Sequence, residues 1–196
     1  MKIFVNSLSA FRILAAFALL PILEFQLMWW AFALFAIAGI TDFFDGLLAK
    51  QYNVITKLGG VMDHMGDKLL VLTTSVMLAV ILNSWFITIP VILMIGRNLY
   101  ISGLREFLGT QKIEMPVPKH RMSWGKVAAF TQMMALGGIL LAICVLPYGE
   151  DSELFGEILY YFLLVGIAGL WAGLGASLIS ATQYTMDFWE KFKKLK

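Results

Sequence analysis

Residues 29 to 83 read WWAFALFAIAGITDFFDGLLAKQYNVITKLGGVMDHMGDKLLVLTTSVMLAVILN. Two apolar runs stand in this stretch, 29 to 49 and 58 to 83, and each reaches the roughly 20 residues that carry a helix across a hydrocarbon core. Only helices or closed barrels satisfy backbone polar groups in lipid, and these runs are too long and too continuously apolar for alternating barrel strands. Working outward, similar runs cover 8 to 24, 86 to 107, 123 to 146 and 154 to 185. The composition agrees: 60% of the residues are hydrophobic and 14% charged, with a mean hydropathy of +0.80. The expected fold class is therefore all-α and integral to a membrane, a bundle of six transmembrane helices. With 196 residues there is no room for a separate soluble domain, so residues 1–196 are read as one domain. Lys2 and Arg12 ahead of ILAAFALLPIL suggest a signal peptide, but no small-residue cleavage site follows and the segment is read as a retained span. Pro21 and Pro90 fall within runs, where transmembrane helices tolerate proline.

Charge placement orients the bundle. Every Lys and Arg lies in the N-terminal segment, in the 50 to 68 or 97 to 126 regions, or in the tail KFKKLK, and all map to one face. The opposite face carries the turns near Glu24 and at 83 to 85 and the acidic loop YGEDSE. By the positive-inside rule the basic face is cytoplasmic, with both termini on it. Trp29, Trp30, Trp85, Tyr148, Tyr160 and Tyr161 gather near the far turns as an interfacial belt. The tail DFWEKFKKLK mixes aromatics with lysines and suits either an anionic leaflet or a solvated end.

Four carboxylates stand at the boundary of the two quoted runs. Asp42 and Asp45 are three apart and Asp63 and Asp67 four apart, so each pair shares one helical face. The short segment between the runs turns the chain at the membrane surface and lets the two pairs converge. Oxygen-only convergence suits a hard divalent cation, Mg²⁺ or Mn²⁺, because unpaired carboxylates repel and resist desolvation. The simpler alternative pairs these acids with Lys50, Lys57 and Lys68, which does not require two same-face pairs.

The run Asp42, Asp45, Gly46, Ala49, Lys50, Gly59, Asp63, Asp67 resembles the signature D-x-x-D-G-x-x-A-R, x8, G-x-x-x-D-x-x-x-D of the CDP-alcohol phosphatidyltransferases. Spacing is identical and Lys50 alone departs from it, keeping the charge of the family's arginine but not its bidentate fork. The resemblance runs over essentially the whole chain, including the N-terminal NSLSAFRIL. It implies that Asp42, Asp45 and Asp63 ligate metal and that Asp67, which also stands near the metal, deprotonates an incoming hydroxyl, with Asp63 and Asp67 the catalytic pair. It further implies that Asp42, Asp45, Gly46, Ala49, Lys50 and Gly59 meet the nucleotide, the small residues letting backbone approach it closely. A homodimer in a bacterial inner membrane, with the active site facing the cytoplasm, is also implied.

The acceptor must be read elsewhere. Arg97, Arg105, Arg121 and Lys126 add more positive charge than a metal site needs, and arginine forks hold phosphate well. A phosphorylated acceptor follows, unless these residues serve only topology. The stretch IGRNLYISGLREFLG, 95 to 109, and Gly125, Lys126, Gln132 and Met133 resemble the branch that uses glycerol 3-phosphate, although Ala128 and Ala129 depart from it. The expected reaction moves a phosphatidyl group from CDP-diacylglycerol to sn-glycerol 3-phosphate and releases CMP. Two alternatives are another phosphorylated alcohol, such as inositol phosphate, and a divalent-cation transporter, the latter disfavoured because the acids sit at one end of the spans rather than at midplane. Membrane lipids are expected partners and nucleic acid is not. Cys144 reads as a packed thiol, His64 as a bystander turned from the acidic face or a hydrogen-bond donor to the metal ligands, and His120 as solvated. Small residues in GIAGLWAGLGAS suit packing within the bundle or across a dimer, and the resemblance favours the dimer.

Overall fold

The computed structural model describes residues 2–51, 57–110, 123–148 and 153–193. Among them the chain forms six α-helices: α1 (Lys2–Glu24), α2 (Met28–Gln51), α3 (Lys57–Leu82), α4 (Trp85–Thr110), α5 (Trp124–Val145) and α6 (Glu153–Lys193), with a 3₁₀ turn at Leu146–Tyr148. No strand occurs among the described residues. Five helices hold apolar windows long enough to cross a membrane, and the described apolar part of α2, Met28–Thr41, is shorter. The all-α membrane bundle expected from the apolar runs is what forms.

Helix ends depart from the expected spans where hydropathy has no say. α1 begins at Lys2 rather than near residue 8, and α6 continues to Lys193 rather than stopping near 185. An apolar run marks the part of a helix that lies in hydrocarbon; polar residues extend the same helix beyond it. At about 1.5 Å per residue, the 41 residues of α6 outrun a core about 30 Å thick. The tail expected to lie on a membrane surface or in solvent is, up to Lys193, the helical end of α6.

Turns fall where the sequence places them. Gln26 adopts φ 56°, and Gln26 N–H and Leu27 N–H donate to the carbonyls of Leu23 and Ile22 at 3.0 Å each. This double closure is a Schellman cap that satisfies carbonyls left over at the end of α1. Asn83, at φ 42°, ends α3 in the left-handed region that asparagine tolerates better than most residues. The Ser84 carbonyl then accepts the first backbone bonds of α4, from Ile87 and Thr88.

Helix pairing follows from small residues. Lipid is as apolar as a leucine side chain, so helices associate through van der Waals packing and close backbone approach rather than escape from water. α1 packs on α2 and α3, α5 on α2 and α6, and α4 on α3 and α6. The core draws Ala15, Ala16, Leu19 and Leu23 from α1, Phe35 and Ala38 from α2, Leu70 and Leu78 from α3, and Leu136, Ile139 and Leu140 from α5. α1 is thus an integral part of the bundle. Cys144 is buried, as a packed thiol should be.

The small-residue stripe of α6 is spent inside this bundle. A Cβ on Gly166 would meet Ile139 Cγ1 at 2.6 Å and the Ala135 carbonyl at 3.3 Å; one on Gly169 would meet Ala135 Cβ at 3.0 Å; one on Gly173 would meet Gln132 Cγ at 2.7 Å. Those partners all belong to α5. Three glycines of the stripe therefore seat α5 against α6 within one chain, the first of the two roles the sequence left open, while Gly175 meets nothing within 4 Å.

Contacts also fix the direction of each helix. Gly39 faces Met133 and Gly137 faces Phe35, so α2 and α5 run antiparallel; Gly125 faces Ser180 and Gly166 faces Ile139, so α5 and α6 do too. Arg97 meets Ser177 and Phe107 meets Phe188, so α4 and α6 run parallel, and short turns reverse the chain between α1 and α2 and between α3 and α4. The start of α1, the end of α6, and the ends from which the α2–α3 and α4–α5 connections leave therefore share one end of the bundle. At the other end Trp29, Trp30, Trp85, Tyr160 and Tyr161 are all exposed, in the positions expected of an interfacial belt.

Candidate active site

Among the signature residues, Asp67 has a described side chain. Asp42, Asp45, Gly46, Ala49 and Lys50 lie on the last turns of α2, and Gly59, Asp63 and His64 on the first turns of α3; their side chains lie outside the described residues, as do Arg121 and His120 altogether. Helical backbone is continuous through both acid pairs, so the three- and four-residue spacings do put each pair on one helical face. The donor set, carboxylate oxygens from two helices joined by a short connection, fits a hard divalent ion.

Asp67 is held from α1. The Arg12 guanidinium donates through Nη1 to Asp67 Oδ1, and its Nη2 lies 3.5 Å from Ser9 Oγ. Arg12 is fully buried, at 0% exposure, whereas the Asp67 side chain is 43% exposed. A charge within a span costs about 2.5–3.5 kcal/mol by insertion scales, and the pairing offsets that cost. The intervening glycine makes the approach fit: a Cβ on Gly66 would sit 3.3 Å from both Arg12 Cβ and the Ser9 carbonyl oxygen. Sequence reading treated Arg12 as a flank of the first span. The signal was its position ten residues into the chain's first helix, where an arginine needs a partner.

Basic groups gather beside the acids. Lys68, half-buried and next in sequence to Asp67, is close enough to Arg97 and Arg105 to feel both charges. Arg97 donates through Nε to the Ser177 carbonyl at 3.2 Å, through Nη2 to Ser180 Oγ at 3.1 Å, and through Nη1 to Asn98 Oδ1 at 3.1 Å. Its fork is thus turned to α6. Arg105 donates to Tyr184 OH at 2.9 Å, with its Cζ 5.1 Å from the centre of the same ring, a cation–π arrangement. Lys126 is exposed on the first turn of α5, next to Gly125, whose absent Cβ would lie 3.2 Å from Ser180 Oγ. Of the predicted acceptor residues, Arg97 and Arg105 come together and Lys126 follows the glycine that touches the hydroxyl binding Arg97. Lys68, read from sequence only as a counter-ion for the acids, joins them, and Tyr184 was not anticipated.

α4 and α6 carry this cluster as a parallel pair tied along their length. Trp171 Nε1 donates to the Phe86 carbonyl at 2.9 Å near the far end, and Tyr100 OH lies 3.0 Å from Thr185 Oγ1. Phe107 meets Phe188 and Phe192 with ring centres 5.8 and 6.2 Å apart. The aromatics of the tail are thus partly spent on α4, with Trp189 left exposed. A groove of about 880 Å³ opens between the two helices, with Ile92, Gly96 and Tyr100 facing Leu178 and Thr182, and Arg97 in its lining.

Fold and charge placement define a multi-pass helical membrane protein with acidic and basic residues on the helix ends at one end of its bundle. The chain belongs to the CDP-alcohol phosphatidyltransferase family, whose pattern it matches over residues 3–182, a region that contains every signature position. It is similar to the CDP-diacylglycerol–glycerol-3-phosphate 3-phosphatidyltransferase of Rickettsia bellii, 36% identical over 77% of this chain and 74% of that protein. Proteins of the same name from Haemophilus influenzae and Escherichia coli strain K12 are each 34% identical, over 71% and 68% of this chain and 70% and 74% of theirs. The chain is accordingly a membrane transferase, and the cation-transporter alternative is set aside.

Proposed function

We propose that this protein transfers the phosphatidyl group of CDP-diacylglycerol to sn-glycerol 3-phosphate, giving phosphatidylglycerophosphate and CMP. The observation that carries the reading is its similarity, over two thirds or more of each chain, to proteins bearing the name of that reaction. In the reaction the acceptor hydroxyl oxygen bonds to the phosphorus attached to diacylglycerol, the bond from that phosphorus to the bridging oxygen breaks, and CMP leaves with the bridging oxygen. The proton of the hydroxyl goes to Asp67, a carboxylate that is both tethered and partly open. Asp42, Asp45 and Asp63, with Asp67 beside them, would hold Mg²⁺ or Mn²⁺. Such an ion, when bound, neutralises charge building on the pyrophosphate oxygens. Gly46, Ala49, Lys50 and Gly59 would face the nucleotide.

Lys68, Arg97 and Arg105, with Lys126 and Arg121, would receive the acceptor's phosphate. A site for an uncharged amino alcohol would have no use for so many cations. The basic end of the bundle faces the cytoplasm of a bacterial inner membrane in this reading. Donor lipid enters sideways, so that its tails stay in hydrocarbon while its headgroup reaches the acids. A homodimer belongs to the reading on family resemblance alone.

The test is CMP release by purified protein given CDP-diacylglycerol and, in turn, glycerol 3-phosphate, inositol phosphate, serine and glycerol. Release with glycerol 3-phosphate above all others is expected. Preference for another alcohol would move the acceptor assignment while leaving the transferase class in place.

A further inference from the structure

Arg12 has no part in the signature, yet it is the fully buried cation that touches Asp67. Three features build the contact from α1. Gly66 leaves room where a Cβ would stand 3.3 Å from Arg12 Cβ, Ser9 Oγ lies 3.5 Å from Arg12 Nη2, and Nη1 donates to Asp67 Oδ1. A planar guanidinium engaged at two nitrogens fixes direction as well as charge. Asp67 stays 43% exposed, so the pairing does not close it off.

We propose that Arg12 is a positioning residue for the transfer reaction: by holding Asp67 Oδ1 from α1 it fixes the direction in which the carboxylate presents itself to the acceptor hydroxyl. This rests on the assignment of Asp67 as the proton acceptor. Arg12 itself touches neither substrate. Its loss should therefore slow turnover without weakening the binding of either lipid or alcohol, because the Michaelis constants report contacts that it does not make.

The experiment compares Arg12→Met, Arg12→Lys and Asp67→Asn as purified full-length proteins in detergent. CMP release is measured over ranges of both substrates and folding is checked by thermal melting. Misplacing a reacting group by about 1 Å costs on the order of 100-fold, so Arg12→Met should lose about that factor in kcat with both KM values little changed. Arg12→Lys, which keeps the charge but cannot span Ser9 and Asp67 together, should recover part of the loss. Wild-type kcat in Arg12→Met, or a loss carried by either KM, overturns the proposal. If Arg12→Met does not fold, Arg12→Lys decides, and wild-type kcat there overturns it. Failure of both variants to fold would make Arg12 a structural residue and equally overturn it. Asp67→Asn separates the two levels: wild-type turnover there removes Asp67 from the reaction, and the proposal about Arg12 with it. Inactive Asp67→Asn beside fully active Arg12 variants removes only Arg12.

Discussion

A carboxylate that takes a proton from an alcohol must be reachable and must be held still, and Asp67 meets both conditions through half-exposure and a buried arginine. Replacing it with asparagine keeps the shape and removes the basic oxygen, so Asp67→Asn should lower kcat by about 10²–10⁴-fold. Asp63→Asn should be similarly inactive if that acid ligates metal, with a melting temperature near wild type, whereas Asp67→Asn should also melt lower because buried Arg12 loses its ion partner. Full activity in either variant takes that acid off the catalytic list. In the proposed reaction Lys68 and Arg105 serve a different step. Arg105→Ala and Lys68→Met should each raise KM for glycerol 3-phosphate by about tenfold, the scale of one charge-assisted contact, while KM for CDP-diacylglycerol stays near its starting value. An unchanged acceptor KM in both would remove these cations from the phosphate site. At this scale the sequence was informative about chemistry and silent about partners. Spacing alone put Asp63 and Asp67 on one face, but nothing in NSLSAFRIL says which acid Arg12 will meet, because that depends on how α1 lies against α3.

Within elements, the same limit explains the glycines of α6. Their spacing marks a smooth helix face, and a smooth face serves a neighbour in the same chain or in another chain equally well. Only the packing assigns it to α5. This makes a paired test with one substitution. Gly166→Ala would place a methyl 2.6 Å from Ile139 Cγ1 and 3.3 Å from the Ala135 carbonyl, and overpacking of that kind costs about 1–3 kcal/mol. Gly175→Ala meets nothing within 4 Å and gains helix propensity, which favours alanine by about 1 kcal/mol. Melting temperatures in detergent should therefore move in opposite directions, down for Gly166→Ala and level or up for Gly175→Ala. Equal shifts would mean that α6 does not lie on α5 as described. Helix length shows a related blind spot. Apolar runs located all six helices, yet the extension of α6 to Lys193 could not be seen in hydropathy, since what holds it is aromatic contact with Phe107.

For the whole molecule, the distribution of Lys and Arg and the pairing of helices make independent statements that must agree. Charge counting puts the N-terminus, the 50 to 68 and 97 to 126 regions and the tail on one side; helix direction puts the start of α1, the end of α2, the start of α3, the end of α4, the start of α5 and the end of α6 at one end of the bundle. Neither depends on the other, because one is read from composition and the other from ordered contacts such as Gly125 with Ser180 and Gly166 with Ile139. What remains is which end faces the cytoplasm, and on the positive-inside rule we propose that the basic end does. With Cys144 as the chain's one cysteine, a Cys144→Ala background gives a blank on which single cysteines report sidedness. Thr110→Cys and Lys193→Cys, both exposed at the basic end, should be blocked in sealed, right-side-out cells only by a thiol reagent that crosses the membrane. Glu150→Cys, in the acidic loop, should react with an impermeant reagent from outside. The reverse pattern would put the aspartates and the phosphate-binding cations on the outer surface, away from a soluble phosphorylated acceptor made inside the cell, and would exclude the proposed reaction however well the residues are placed.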